Sequence, residues 1–372
     1  MKRFLISLLM ILIIPSAVFA QDNDYQSYVE SFDLSAFEEL DDNTKNFLEE
    51  LGISDFDYDK LSSISIADVF KYIFQVAVGK AQGPIKAGLT MLCFIIISLF
   101  YKSFSSEVNK SDISSFFSTV TTLIISIFLV VKLTDCIGLC SSTIKLCSNF
   151  AFAFFPVFCL ITASAGGTLT SFSVNTQLLI LAQGINYIAE LLFVPIINCF
   201  LALGICSSLR QELNLNGIMQ FLKNIIAKGI SIISAIFVSI LTVKTAVASR
   251  ADALGLRSIR FAINTVVPVI GSSISEGLLS IQSYSGLIKT SVGLVGIIAV
   301  ACIFLPSIIE ICIWRFVLYL ARMSANVFND DSSSKAVSCF EDVLLIINVI
   351  LILCMVTTII SIGILVAAKT GM

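Results

Sequence analysis

The chain has 372 residues, of which 57% are hydrophobic and only 13% charged, with a net charge of −3 and a mean hydropathy of +0.96. A soluble fold would be left with far too much apolar surface, and together with the succession of membrane-length apolar runs taken below this points to an all-α, polytopic integral membrane protein. The lack of any histidine removes Ser-His-Asp and Cys-His nucleophilic sites, HExxH zinc sites and histidine proton relays.

Residues 1–20 have the make-up of a secretory signal peptide: Lys2 and Arg3, an apolar run over 4–14, then Val18-Phe19-Ala20 ahead of Gln21. An uncleaved signal anchor is the alternative, and either one sends the following residues out of the cytoplasm. Residues 21–84 are then an exported segment. Its first part, 21–60, is strongly acidic, with only Lys45 and Lys60 as cations. Phe37, Leu40, Phe47, Leu48 and Leu51 recur at helical spacing, Ser35 and Glu38 form a capping box, and Gly52 is a stop, which predicts one or two short helices. A second start at Ser65 opens an amphipathic helix bearing Ile66, Val69, Phe70, Ile73, Phe74 and Ala77, expected to lie along the outer membrane surface before Pro84.

Residues 85–372 form the multi-pass domain. A helix needs about 20 mostly apolar residues to cross the hydrocarbon core. Runs of that kind occur at 85–104, 113–131, 147–165, 182–206, 229–247, 291–317 and 343–368, with a weaker one at 261–281. The expected count is therefore seven or eight transmembrane helices. Lysine and arginine divide evenly between the two sides of the eight-span arrangement, so the positive-inside rule does not choose.

Charges within such runs are expensive and mark candidate functional positions. Glu190, Glu310 and Arg315 are the clearest. Glu310 and Arg315 are five residues apart, about 140° around an ideal helix, so they are expected to face different neighbours. A proton or ion pathway is one reading, interhelical pairing the other. Pro156, Pro195, Pro268 and Pro306 lie in membrane runs, as in broken helices of transporters, yet proline is also ordinary there. The eleven cysteines include no CxxC pair and read as small hydrophobes, with Cys136 and Cys140, one helical turn apart, holding an outside claim to a redox role. No GxxxxGK[ST] loop is present. No catalytic residue, cofactor or metal ligand is assigned, and no nucleic acid is expected as a partner.

Arg250, Arg257 and Arg260 fall within roughly an 80° arc on a helix continuing out of the 229–247 run, a basic stripe suited to lipid headgroups or an acidic partner. They belong to the segment ASRADALGLRSIRFAINTVVPVIGSSISEG. That segment, the signal peptide, the acidic arm and the C-terminal order of spans resemble the stage III sporulation protein AE family of endospore-forming bacteria. The resemblance implies a non-enzymatic membrane subunit of the mother-cell complex. With a forespore membrane protein, that complex spans the two membranes around the engulfed forespore, resembles secretion systems and supports forespore sigma factor activity. Other membrane subunits of the complex and the lipid bilayer are the implied partners, and the mother-cell membrane surrounding the forespore is the implied location. A gradient-driven permease resting on Glu190, Glu310 and the prolines is the competing expectation, and an intramembrane hydrolase is a weaker third.

Overall fold

A computed structural model of the chain describes residues 66–107, 111–165, 184, 194–209, 216–266, 271–327 and 331–367. The signal peptide and the acidic arm read from residues 1–65 lie outside the described residues, as does most of the 166–193 region. The described elements are helices: α1 (Ile66–Glu107), α2 (Ser111–Ser164), α3 (Val194–Leu209), α4 (Asn216–Val266), α5 (Gly271–Val327) and α6 (Asp331–Ala367), with no strand among the described residues.

Five of these helices contain stretches long and apolar enough to cross a membrane: Phe74–Ile97, Thr122–Ser164, Gly217–Gly255, Ser285–Val327 and Ser333–Ala367. The expected seven or eight spans thus become five among the described residues, and two local causes account for much of the difference. The runs at 113–131 and 147–165 are parts of one helix, α2. The polar segment between them is helical, and its side chains bond back within the helix in ways compatible with it. Thr134 Oγ1 donates to the Val130 carbonyl, Ser142 Oγ and Thr143 Oγ1 to that of Leu139, and Lys132 pairs with Asp135 at 3.4 Å. The weak run at 261–281 straddles the end of α4 at Val266 and the start of α5 at Gly271, around Pro268. The run at 182–206 is represented by α3, which starts at Val194. The amphipathic helix expected from Ser65 and the first span are likewise one element, because α1 runs on through Pro84.

Side-chain contacts fix the register of the bundle. α5 and α6 form an antiparallel hairpin: Asn326 and Ser334 bond near its turn, Arg322 meets Ser338, Cys312 meets Asn348, and Gly293 lies against Val366 at the far end. α2 runs antiparallel to α5, with Thr143 and Ser307 hydroxyls 2.6 Å apart, and Gly296 and Gly293 against Phe154 and Phe158. Lys80 opposite Glu310 and Gly88 against Val317 make α1 parallel to α5. α5 is therefore the central element, touched by α1, α2, α4 and α6.

Its packing against α2 rests on shape. Phe150, Phe154 and Phe158 recur every four residues along one face of α2 and stack with successive centroids 5.2 Å apart. Each such pair contributes about 0.5–1.5 kcal/mol beyond its buried area. Gly293 and Gly296 let the α5 backbone approach these rings closely, the usual device by which membrane helices gain van der Waals contact where lipid and side chain are equally apolar. α4 is the opposite case. Only 12% of its membrane stretch is buried, and Ile232, Ile233, Ile236, Ile240, Val243 and Val247 face outwards, as suits a helix at the lipid boundary.

Candidate functional site: an interhelical polar belt

Three interhelical ion pairs lie along the second half of α5 and the start of α6. Glu310 accepts an ion pair from Lys80 of α1 at 3.0 Å. Three turns further along, Arg322 Nη1 reaches Glu341 of α6 at 3.1 Å, donates to Ser338 Oγ at 3.4 Å, and lies 5.3 Å from the Tyr319 ring centroid. Asp342, next to Glu341, takes Lys223 of α4. These pairs tie α1, α4 and α6 together around α5. Interhelical pairing is how apolar segments retain ionisable groups at tolerable cost.

Neutral polar groups continue the belt into the core. Besides the Thr143–Ser307 contact, Asn348 Nδ2 lies 3.0 Å from Cys312 Sγ, and Cys147 Sγ lies 4.0 Å from Thr358 Oγ1. A small cavity lined by Leu129, Lys132, Leu133, Cys136, Trp314, Leu318, Phe340 and Leu344 sits at the same height. It has room for about one water molecule, too little for an organic substrate.

The residues singled out from sequence are not brought together. Glu310 is paired with Lys80, the partner that sequence reasoning missed, and not with Arg315. Arg315 is half-buried on α5, and its Nε is shielded from solvent without a hydrogen-bond partner. Glu190 lies outside the described residues. Arg250, Arg257 and Arg260 do share one helix, α4, and the first two have exposed side chains far along the chain from the Lys223–Asp342 tie. Cys136 and Cys140 are both buried, as are Cys147, Cys159, Cys302, Cys339 and Cys354, consistent with thiols serving as small apolar side chains. No cluster of metal-binding side chains occurs among the described residues. The Phe150, Phe154, Phe158 spacing and the Gly293, Gly296 pair were visible signals of the α2–α5 contact that hydropathy alone passes over.

Comparison with known proteins agrees in direction. The family model for stage III sporulation protein AE matches residues 54–369. The chain is also similar to stage III sporulation protein AE of Bacillus subtilis (strain 168), with 24% identity over 276 residues, covering 73% of this chain and 67% of that protein. No solved structure matches it.

Proposed function

The chain belongs to the stage III sporulation protein AE family, and from that membership we propose that it is a non-enzymatic, multi-pass membrane subunit of the channel- or secretion-like complex joining mother cell and forespore. In this reading it resides in the mother-cell membrane around the engulfed forespore, packs with other membrane subunits of the complex and with a forespore membrane protein across the intermembrane space, and supports forespore sigma factor activity. The observation that carries the reading is the family match across residues 54–369 of a chain with five apolar, membrane-length helices. The way the polar groups are used supports it. Lys80, Glu310, Arg322, Glu341, Lys223 and Asp342 are spent on holding helices to one another, which suits an assembly component. The permease reading rests on Glu190, Glu310 and the intramembrane prolines, and of these Glu310 is held by Lys80 as part of the same helix-to-helix pairing.

Deleting the gene in its endospore-forming host and imaging a tagged copy tests the proposal. Arrest after engulfment with loss of forespore sigma factor activity, and signal confined to the membrane around the forespore, are expected. Normal spores from the deletion strain would refute it.

A further inference from the structure

Helix direction puts two distant parts of the chain at one end of the bundle. α1 runs parallel to α5, with Lys80 opposite Glu310 and Gly88 against Val317. Its first residue, Ile66, precedes Lys80 by 14 positions and so lies toward the start of α5, about level with Gly296. α4 arrives at that same end. It begins beside α6, where Lys223 meets Asp342, and after its last residue, Val266, the chain enters α5 at Gly271. So short a connection makes α4 and α5 antiparallel neighbours. Arg250, 27 positions after Lys223, is then about 40 Å further along α4 and about level with Ser291 of α5, with Arg257 and Arg260 beyond it. Measured along the bundle, Ile66 is about 7 Å from Arg250 and about 22 Å from Arg260. α1 and α4 both touch α5, so they are separated sideways by about 20 Å at most, two interaxial distances.

The outer side of this part of α4 is basic. Arg250 and Arg257 have exposed side chains, while Asp252, the sole acid in 244–266, is buried on the side of the helix away from Arg250. Arg260 completes the stripe by helical spacing, and the three arginines extend over about 15 Å of helix axis. A headgroup layer is only about 5–7 Å deep, so lipid phosphate at one depth does not serve all three on a helix that stands with the bundle. Acid is concentrated in the segment leading into α1. Residues 21–60 hold 13 of the 26 acidic residues against two lysines, a net charge of −11, and the rest of the chain is +8. Asp55, Asp57 and Asp59 come closest, seven to eleven positions before Ile66. Fully extended, that tether reaches about 23–36 Å, and the straight distance from Ile66 to the arginines is about 20–30 Å.

We infer that the acidic arm folds back on its own bundle, with Asp55, Asp57 and Asp59 laid against Arg250, Arg257 and Arg260 at the end of α4. Guanidinium groups take carboxylates through paired, charge-assisted hydrogen bonds, which suits arginine at this position better than a point charge would. Tethering favours this occupant over an unlinked one. A flexible stretch of about ten residues has a root-mean-square length of about 17 Å, close to the gap to be bridged, so the arm presents its carboxylates at an effective concentration on the order of millimolar. A separate acidic protein has to compete with that. The ten acids of residues 21–54 remain available beyond the contact. The arm is thereby held at its root against the membrane domain, and any other anion that binds the stripe must first displace it.

Zero-length cross-linking of the full-length chain tests the contact. Arg250→Lys, Arg257→Lys and Arg260→Lys together keep the positive charge and supply amines, which a carbodiimide joins to carboxylates that touch them. In phosphatidylcholine nanodiscs at low salt, mass spectrometry should find amide links from positions 250, 257 or 260 to Asp55, Asp57 or Asp59. A link between Lys223 and Asp342 in the same sample reports that the bundle is folded. Raising the salt to about 0.5 M should lower the yield of arm links about fivefold while the Lys223–Asp342 link persists. Adding Asp55→Asn, Asp57→Asn and Asp59→Asn should remove most of them. Isotopically light and heavy chains mixed before reconstitution should be linked light to light and heavy to heavy. Arm links missing from a sample that gives the Lys223–Asp342 link overturn the inference. So do links that join light chains to heavy ones, which would assign the stripe to the arm of a second copy, and links that vanish when phosphatidylglycerol is included, which would assign it to lipid.

Discussion

Gly296 of α5 lies against the ring of Phe154 on α2, so closely that a methyl group on its Cα would stand 2.5 Å from the ring's Cζ. Phe154 is itself held between Phe150 and Phe158 in a stack, so the ring has little freedom to retreat. Gly296→Val should therefore push the helices apart at a cost of about 1–3 kcal/mol. The detergent-solubilised chain should lose thermal stability in a size-exclusion melt, and Phe154→Leu in the same chain should recover part of the loss. An unchanged melting temperature for Gly296→Val would show that the two helices are not in contact there.

The Arg322–Glu341 pair is the most enclosed of the interhelical pairs, with side chains 29% and 17% exposed. Removing one member strands the other. Glu341→Ala is expected to destabilise the α5–α6 hairpin by about 1–3 kcal/mol, below the roughly 3–5 kcal/mol of a fully buried broken pair because both groups keep some solvent. Arg322→Met combined with Glu341→Leu should be milder than Glu341→Ala alone, as measured by the same melt.

Lys80 and Glu310 are more open, at 45% and 24% exposed, so their pairing contributes less. A double-mutant cycle with Lys80→Met and Glu310→Gln should return a coupling of about 0.5–1 kcal/mol that shrinks in high salt. If Glu310→Gln abolished function while leaving assembly and stability intact, the carboxylate would have a role beyond holding α1 to α5.

Thiol chemistry checks the packing independently. A membrane-permeant maleimide added to the solubilised chain should modify Cys93, Cys199, Cys206 and Cys312, and should reach Cys136, Cys140, Cys147, Cys159, Cys302, Cys339 and Cys354 only after denaturation. Mass spectrometry of the peptides reads the pattern directly, and early labelling of Cys147 or Cys354 would contradict the described α2–α6 interface.

How far residues foretold structure depended on the kind of signal. Long apolar runs revealed helices reliably because a bilayer leaves backbone polar groups no other way to be satisfied. They did not reveal where a helix ends. The segment 132–145 looks like a loop by polarity, yet α2 continues through it, with its threonines and serines bonded back to the preceding turn. Pro84 looks like a boundary and is not one. The angular separation of Glu310 and Arg315 implied different neighbours, and Glu310 meets Lys80. Lys80 could not be named as the partner, since it lies 230 positions away and only the parallel packing of α1 on α5 brings it near. Helical period exposed the arginine stripe of α4 for the same reason that it missed the ion pairs: it describes one helix at a time.

The height of α2 carries a mechanical consequence. A stiff rod of about 81 Å pivoting by 10° near its middle displaces each tip by about 7 Å, in opposite directions. Gly138, exposed and free of neighbours, and the Thr143–Ser307 contact lie near that midpoint. A push delivered at one end of α2 would thus be felt at the other end as an equal and opposite swing, with no change of secondary structure in between.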